Sequence, residues 1–514
     1  MVFRFIGSSR HLFALSLLLL LPLFSCSSTP PSNGGENNEN TDTTAPQLVD
    51  HTPKDAATDV LLADKITLLF SEPVDADSIT SDTIKILEGA SELGYDAELS
   101  SDAKTVYLKM VQSPASLPAN LTVHVEGIED LAGNSMAAMS FSYTTAADWV
   151  LLGDYLNEDE NNDATNAVVA CAPDGSIFVA YNYSYSSGRR ARVQKWEAGS
   201  WNPVGDPFNS GSANGVIVHD LAIDNSNQPA VAWSELDSTN MGNVYVRYWN
   251  GTAWTGYAGG NELDTAVAND AGYPKIAFDG NEPVVVWSEL SGGTYWVYLK
   301  AFDGSQWTIK DSPLNLGTSS GLYADIAVDP NGNYEVSWAE GPSSATLLYV
   351  KKWDGSSQMS QLGSSTLNID ATKSSLATSI AVYPSGDPVV AWIEYSSSVT
   401  NLYLKEWTGS SWQQLGAGGP LNANPTSSVS KASLAISGND PVVAWSENRQ
   451  VFVKAWNGSA WEQVGDNLAI GTGDIYSVSL TMDDNDNPVV AWSQLNGTTL
   501  HQTVYVKRFN GLAK

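Results

Sequence analysis

The sequence predicts an all-β chain: a β-sandwich followed by a seven-bladed β-propeller closed by pairing of N- and C-terminal strands within one blade. Three observations lead there. From about residue 147 a pattern of four short apolar runs separated by Gly/Asn/Asp/Pro turns recurs, seen most clearly in Ser433–Gly465, SLAISGNDPVVAWSENRQVFVKAWNGSAWEQVG. Runs of this length, rich in Val, Trp and Phe and bounded by such turns, read as strands, and Asn457-Gly458 as a tight hairpin. The aromatic ending the second run recurs as Tyr181, Trp233, Trp287, Trp338, Trp392, Trp445 and Trp492, in steps of 47 to 54 residues, a blade-like period. The fourth run appears only six times, at Trp201, Trp254, Trp307, Gln358, Trp412 and Trp461. A matching Trp149-Val150-Leu151-Leu152-Gly153 stands ahead of the first blade. That early strand is expected to complete the last blade, removing the open edges that invite aggregation.

Composition sets the outer limits. A chain of 514 residues is too long for one ordinary core. Charged residues make up only 16 %, with Gly, Trp and Tyr plentiful, as in extracellular β proteins. With 57 acids against 25 bases the formal charge is −32, which repels phosphate backbones and excludes nucleic acid as a partner. The two cysteines are Cys26 and Cys171.

Taken in order, residues 1–25 are a signal peptide: Arg4, Arg10 and His11 precede an apolar run from Leu12 to Phe24, too short to span a bilayer. The run ends Leu23-Phe24-Ser25-Cys26, which resembles the bacterial lipobox. The resemblance implies lipidation of Cys26 as the mature N-terminus. Ser27 then implies an outer-membrane or cell-surface destination. With Cys26 so used, no intramolecular disulfide is available. Residues 26–44 are a Ser/Thr/Pro/Gly/Asn tether without core-forming residues, reaching roughly 20–25 Å as a flexible coil.

Residues 45–146 place short strands at Ile66–Phe70, Thr83–Leu87, Thr105–Met110, Leu121–Val125 and Met139–Tyr143, the spacing of a sandwich. Ala45-Pro46, His51-Thr52-Pro53, Thr67–Pro73, Val123–Asn134 and Phe141–Thr145 resemble the Ig-like domains of bacterial surface-layer proteins, which implies a spacer. Asp130–Asn134 reads as a turn. Residues 147–514 carry the blades, and their repeat resembles the sialidase-like or kelch-like propellers of secreted bacterial proteins. The Asp-box of sialidases is missing, so the resemblance carries the fold and not the activity.

Two repeated positions carry charge. Two residues after the second-strand aromatic stand Glu235, Glu289, Glu340, Glu394 and Glu447, with Tyr183 and Gln494 in the other blades. Two residues before the third-strand aromatic stand Arg247, Lys300, Lys351, Lys405, Lys454 and Lys507, with Gln194 in the first blade. Cross-strand ion pairing is one reading. A carboxylate ring that binds a cation or a sugar on one propeller face is the other. The Glu positions share that face with the fourth-to-first connections (154–165, 206–219, 308–323, 364–377 and 417–431), which differ in length and sequence. Variable loops on a rigid scaffold suit recognition, and they contribute Tyr155, Phe208 and Tyr323 as stacking candidates.

Asn157, Asp159, Asn161 and Asp163 alternate in an inserted loop and form the one Ca²⁺ candidate, against a solvated acidic loop. No other cofactor is expected. Asp224, Asp279, Asp329 and Asp483 read as turn residues; Asp483-x-Asn485-x-Asn487 lacks the Gly and distal Glu of a calcium loop. No His/Cys cluster, phosphate loop or nucleophile elbow occurs. The expectation is therefore a monomeric, lipid-anchored envelope protein whose propeller binds a glycan or protein without catalysis. The alternatives are a polysaccharide-active enzyme using propeller-face carboxylates and a purely structural surface protein.

Overall fold

The computed structural model describes residues 2–5 and 42–511, apart from residues 63, 187, 212–214, 261, 267–268, 343–344, 354, 356–357, 397 and 417. Cys26 and most of the signal and tether segments lie outside the described residues. The chain divides into two compact units, residues 1–147 with 510–514, and residues 148–509.

The first unit is a sandwich of two antiparallel sheets. One has the spatial order Val2–Phe5, Tyr95–Leu99, Thr105–Met110, Ile66–Phe70, Leu48–Thr52; the other runs Ser91–Leu93, Ile84–Glu88, Asn120–Val125, Met139–Thr144. Inward residues alternate along each strand, so Ile66, Leu68 and Phe70 meet Ile84, Ile86, Leu121 and Val123 in one core. Asp130 holds the turn expected of it: its Oδ1 accepts from the backbone N–H of Ala132 and Asn134, at 2.8 and 2.9 Å.

The second unit is the propeller. It contains seven four-stranded antiparallel sheets, each a meander in chain order except the last. The last is Ile475–Met482, Pro488–Leu495, Gln502–Phe509 and, from the opposite end of the unit, Trp149–Leu151, with Trp149 opposite Phe509 and Leu151 opposite Lys507. The innermost strands are Ala164–Cys171, Val216–Ile223, Asp270–Asp279, Gly321–Val328, Ser375–Val382, Val429–Ser437 and Ile475–Met482, and they surround a central channel.

The second-strand aromatics seal adjacent blades together. Trp233 packs on Phe178, Ala180 and Val193 of the preceding blade, and Trp492 packs likewise on Val442, Ala444 and Val453. All six second-strand tryptophans and Tyr181 are fully buried. At about 25 cal/mol per Å² and roughly 150–250 Å² per ring, each contributes several kcal/mol before entropy. Fourth-strand tryptophans tie the outside. The indole N–H of Trp254 donates to the Val204 carbonyl of the previous blade at 2.8 Å, and that of Trp412 to Leu362 at 2.8 Å. Trp149 does the same to Val464 at 3.0 Å, so the closing strand obeys the same rule as its repeats.

Candidate functional site

The repeated glutamates are not a surface ring. Glu235, Glu289, Glu340, Glu394 and Glu447 are all buried, at 0–5 % exposure. Each accepts the indole N–H of the tryptophan two residues before it, from 2.9 Å in Glu447 to 3.1 Å in Glu235. Each also accepts backbone N–H groups of the incoming fourth-to-first connection: Ser210 for Glu235, Thr265 for Glu289, Leu316 and Gly317 for Glu340, Ile369 and Asp370 for Glu394, Ala423 and Asn424 for Glu447. Gln494 performs both tasks through its amide oxygen.

The repeated bases hold the same connections. Lys300, Lys405 and Lys454 donate to the carbonyls of Leu263, Leu367 and Leu421 and lie over the faces of Trp287, Trp392 and Trp445. The acid and base columns attract one another within each blade, Arg247 with Glu235, Lys300 with Glu289, Lys351 with Glu340, Lys405 with Glu394 and Lys454 with Glu447, and a shared tryptophan mediates the pairing, its N–H to the acid and, in four of these blades, its face to the base.

The connections, expected to be free to vary, share an anchor. Leu156-Asn157, Leu263-Asp264, Leu314-Asn315, Leu367-Asn368 and Leu421-Asn422 each bury the Leu and use the next side chain to accept a third-strand N–H. This corrects the calcium candidate: Asn157 is buried, with its oxygen taken by the Val504 N–H and its amide by the Asn162 and Gln502 carbonyls. Asp159 caps Asn161, while Asp163 faces His501 and the Gln502 N–H, so the four side chains do not converge. Asp224, Asp329 and Asp483 cap their turns, each Oδ1 accepting the N–H groups two and four residues on. Phe208 is buried against Trp233 and Trp254, whereas Tyr155 and Tyr323 are exposed.

Tyr323 leads to the site that the repeat pattern hid. Every innermost strand carries a β-bulge near its start, falling within 165–168, 218–220, 272–275, 322–325, 376–378, 429–431 and 475–477. Bulges re-aim side chains. Here they place Asn166, His219, Tyr273, Tyr323, Ala377 and Tyr476 in the channel lining, with Ser430 at the equivalent bulge position of its strand. Tyr273 and Tyr323 are held at φ +57° and +55°, a left-handed conformation that costs a non-glycine residue on the order of 1 kcal/mol. Their rings stand 6.3 Å apart edge to face, and His219 packs on Tyr273 at 5.4 Å.

Just inside lies a second tier, the seven residues paired opposite the position before the second-strand aromatic: Val168, Asp220, Lys275, Asp325, Ser379, Ser433 and Ser479. Five of them accept a backbone N–H from the next blade: Asp220 from Ile276, Asp325 from Ile380, Ser379 from Leu434, Ser433 from Leu480 and Ser479 from Val169, at 2.9–3.1 Å. Val168 and Lys275 have no acceptor. The residues after them in the ring are Asp220 and Asp325, whose carboxylates also take their own following N–H groups. The serine-or-aspartate signal was present in the sequence as Asp220-Leu-Ala, Asp325-Ile-Ala, Ser379-Ile-Ala and Ser433-Leu-Ala.

The tier is lopsided. Lys275 lies 3.7 Å from Asp220 and also interacts with Asp325, while the far side is serine. Burial raises the proton affinity of Asp220 and Asp325, and Lys275 only partly offsets it. Burial opposes the Lys275 charge, but Asp220 and Asp325 outweigh it and raise its pKa, so the ammonium stays charged. His219 donates or accepts with Ser234 at 2.8 Å, and burial, then Lys275, pulls its pKa down to about 3. The channel around these residues encloses about 780 Å³, a size suited to a small ligand or a chain end.

Residues 42–145 match the family profile of the bacterial Ig-like domain. No curated protein matches the chain significantly. Among solved structures, an ulvan lyase of a polysaccharide lyase family aligns at 10 % identity and TM-score 0.48, over 70 % of this chain and 96 % of its own. A Trypanosoma rangeli sialidase aligns at 12 % identity and TM-score 0.43, over 70 % of this chain and 60 % of its own. A protein of unknown function from Dyadobacter fermentans aligns at 11 % identity and TM-score 0.41, over 70 % and 99 %. Among the described residues, no helix is long and apolar enough to cross a membrane.

Proposed function

We propose that this is a lipid-anchored bacterial envelope protein whose propeller is a non-catalytic binding module for a glycan or protein partner, engaged at the bulged end of its channel. One observation carries the binding reading. The propeller has eleven exposed large hydrophobic side chains among its described residues. Ten of them (Tyr155, Leu236, Tyr273, Leu316, Tyr323, Ile369, Tyr395, Ile470, Tyr476 and Leu500) lie in fourth-to-first connections, in bulges, at second-strand ends or in a second-to-third turn. In an antiparallel meander all of these share one end. Apolar surface concentrated around a concave, polar-floored opening is the mark of a binding face.

The Ig-like domain and the Leu23–Cys26 motif support an envelope position with the anchor at Cys26. Changing Cys26→Ser is expected to move the protein from the detergent phase to the aqueous phase in detergent partitioning. Recovery in the detergent phase regardless of Cys26 removes the lipid anchor from the reading.

A non-catalytic role is supported by the partners of the channel groups: Asp220 and Asp325 cap backbone N–H groups, and Lys275 is held charged between them. The second reading, an enzyme on polysaccharide, is favoured by the raised proton affinity of these two channel carboxylates. Incubation with a panel of polysaccharides, followed for new reducing ends and unsaturated products, separates the two. We expect none; products lost in Asp220→Asn or Asp325→Asn would establish the enzyme.

A further inference from the structure

The binding reading above leaves the ligand open, and the inference that follows rests on it. We propose that the ligand is an uncharged carbohydrate chain, with one residue stacked at Tyr273 and Tyr323 and its hydroxyl groups directed to the tier below.

The charge pattern argues for a neutral ligand. Lys275 is the one cation in the inner tier, and it stands between Asp220 and Asp325 of the flanking blades. The channel lining as a whole carries Asp220, Asp270 and Asp325 against Lys275 and Lys431, so an entering anion meets more carboxylates than ammonium groups, in a chain of net charge −32. An entering cation meets the ammonium groups of Lys275 and Lys431. His219, neutral over the physiological range, adds no charge. A polyol gains from both signs, because each hydroxyl donates and accepts.

The rest of the tier supplies matching groups. Ser379, Ser433 and Ser479 use their oxygens to accept backbone N–H groups, which leaves each hydroxyl proton to be given. These donors lie on consecutive blades across the channel from the Asp–Lys–Asp group. A hydroxyl-rich ligand spanning the channel would find acceptors and an ammonium on one wall and donors on the other.

The mouth supplies the apolar contact. Tyr273 and Tyr323 are 49 % and 38 % exposed, although both sit on strained backbone. The Thr378 hydroxyl donates to the Tyr323 carbonyl at 2.7 Å and so fixes the second bulge. Nothing in packing requires a tyrosine at either place, since Ala377 and Ser430 serve at the corresponding bulges. The left-handed conformation recurs at Asn166 and Ala377 and so belongs to the bulge; what sets Tyr273 and Tyr323 apart is a half-exposed aromatic ring placed on it, and the C–H face of a pyranose or furanose is the natural partner of such a ring.

The test uses the full chain carrying Cys26→Ser, screened on immobilised polysaccharides in three groups: neutral glucans, mannans and xylans; anionic alginate, polygalacturonate and sulfated galactans; and cationic chitosan. We expect binding in the neutral group alone, unchanged between low and high salt. Tyr273→Ala and Tyr323→Ala are each expected to lower affinity about tenfold, with Tyr273→Phe close to the parent. Salt-sensitive binding to an anionic or cationic polymer overturns the neutral class and leaves the glycan reading in place. Neutral binding indifferent to both tyrosines overturns this site. Binding to no polysaccharide, with thermal unfolding unchanged, removes the glycan arm altogether and leaves a protein partner.

Discussion

At the scale of single residues, the repeated glutamate is a structural anchor whose loss leaves several donors stranded. Glu289 accepts from the Trp287 indole, the Thr265 backbone and hydroxyl, and the Asn269 amide. Glu289→Ala is expected to destabilise the protein by about 3 kcal/mol in chemical denaturation. Glu289→Gln should cost about 1 kcal/mol or less, because Gln494 already fills the equivalent position in the last blade. Burial pushes the Glu289 pKa up, but the Asn269, Thr265 and Trp287 hydrogen bonds outweigh it and leave it below the ordinary 4.5. Its contribution is complete above pH 4.5 and fades as pH falls through the depressed folded value. His219 works in a higher window. Below pH 6.5 the unfolded chain takes up a proton that the folded imidazole refuses until about pH 3, so stability declines between those values. His219→Gln is expected to flatten that part of the stability–pH curve, with unfolding midpoints across the window as the readout.

At the scale of elements, the strands were legible because their apolar runs and turn dipeptides are local, and the blade count followed from one aromatic per blade. The glutamate and lysine columns were legible as positions and as attracting charges, but the tryptophan and backbone groups that bind them were not. A carboxylate two residues from a tryptophan on a strand lies on the same face, and the indole N–H was a closer partner than the lysine across the strand. The Leu-Asn anchors were equally visible in sequence, yet they sit inside connections whose differing lengths drew attention away from what they share. Least legible was the channel tier, because Ser, Asp and Lys at one position look like surface variation until the bulge register lines them up. That tier is testable. Ser433→Ala removes the acceptor for the Leu480 N–H and should cost about 1 kcal/mol, whereas Val168→Ser should add an acceptor facing the second blade and cost nothing.

At the scale of the propeller, blades are joined by hydrogen bonds at two radii: five inner-tier side chains accept backbone N–H groups around the channel, and the indoles of Trp149, Trp201, Trp254, Trp412 and Trp461 donate to carbonyls of the blade before around the rim. Between them lie the buried second-strand aromatics. Closure depends on a three-residue strand, Trp149–Leu151, whose tryptophan is buried against Phe509 and bonded to Val464. Trp149→Ala is expected to cost about 3 kcal/mol. Deleting Trp149–Leu151 should expose the Gln502–Phe509 edge and produce soluble aggregates, detectable by light scattering before any loss of secondary structure.

The position of that closing strand also sets the order of events during synthesis. Trp149 is made 360 residues before its partner Phe509, so the ring has no complete fold to adopt until all the blades between them have been synthesised. Such a long-range pairing folds late and slowly. The segment that locks the propeller is thus the last of its strands to be made, and every earlier blade waits on it with the ring still open.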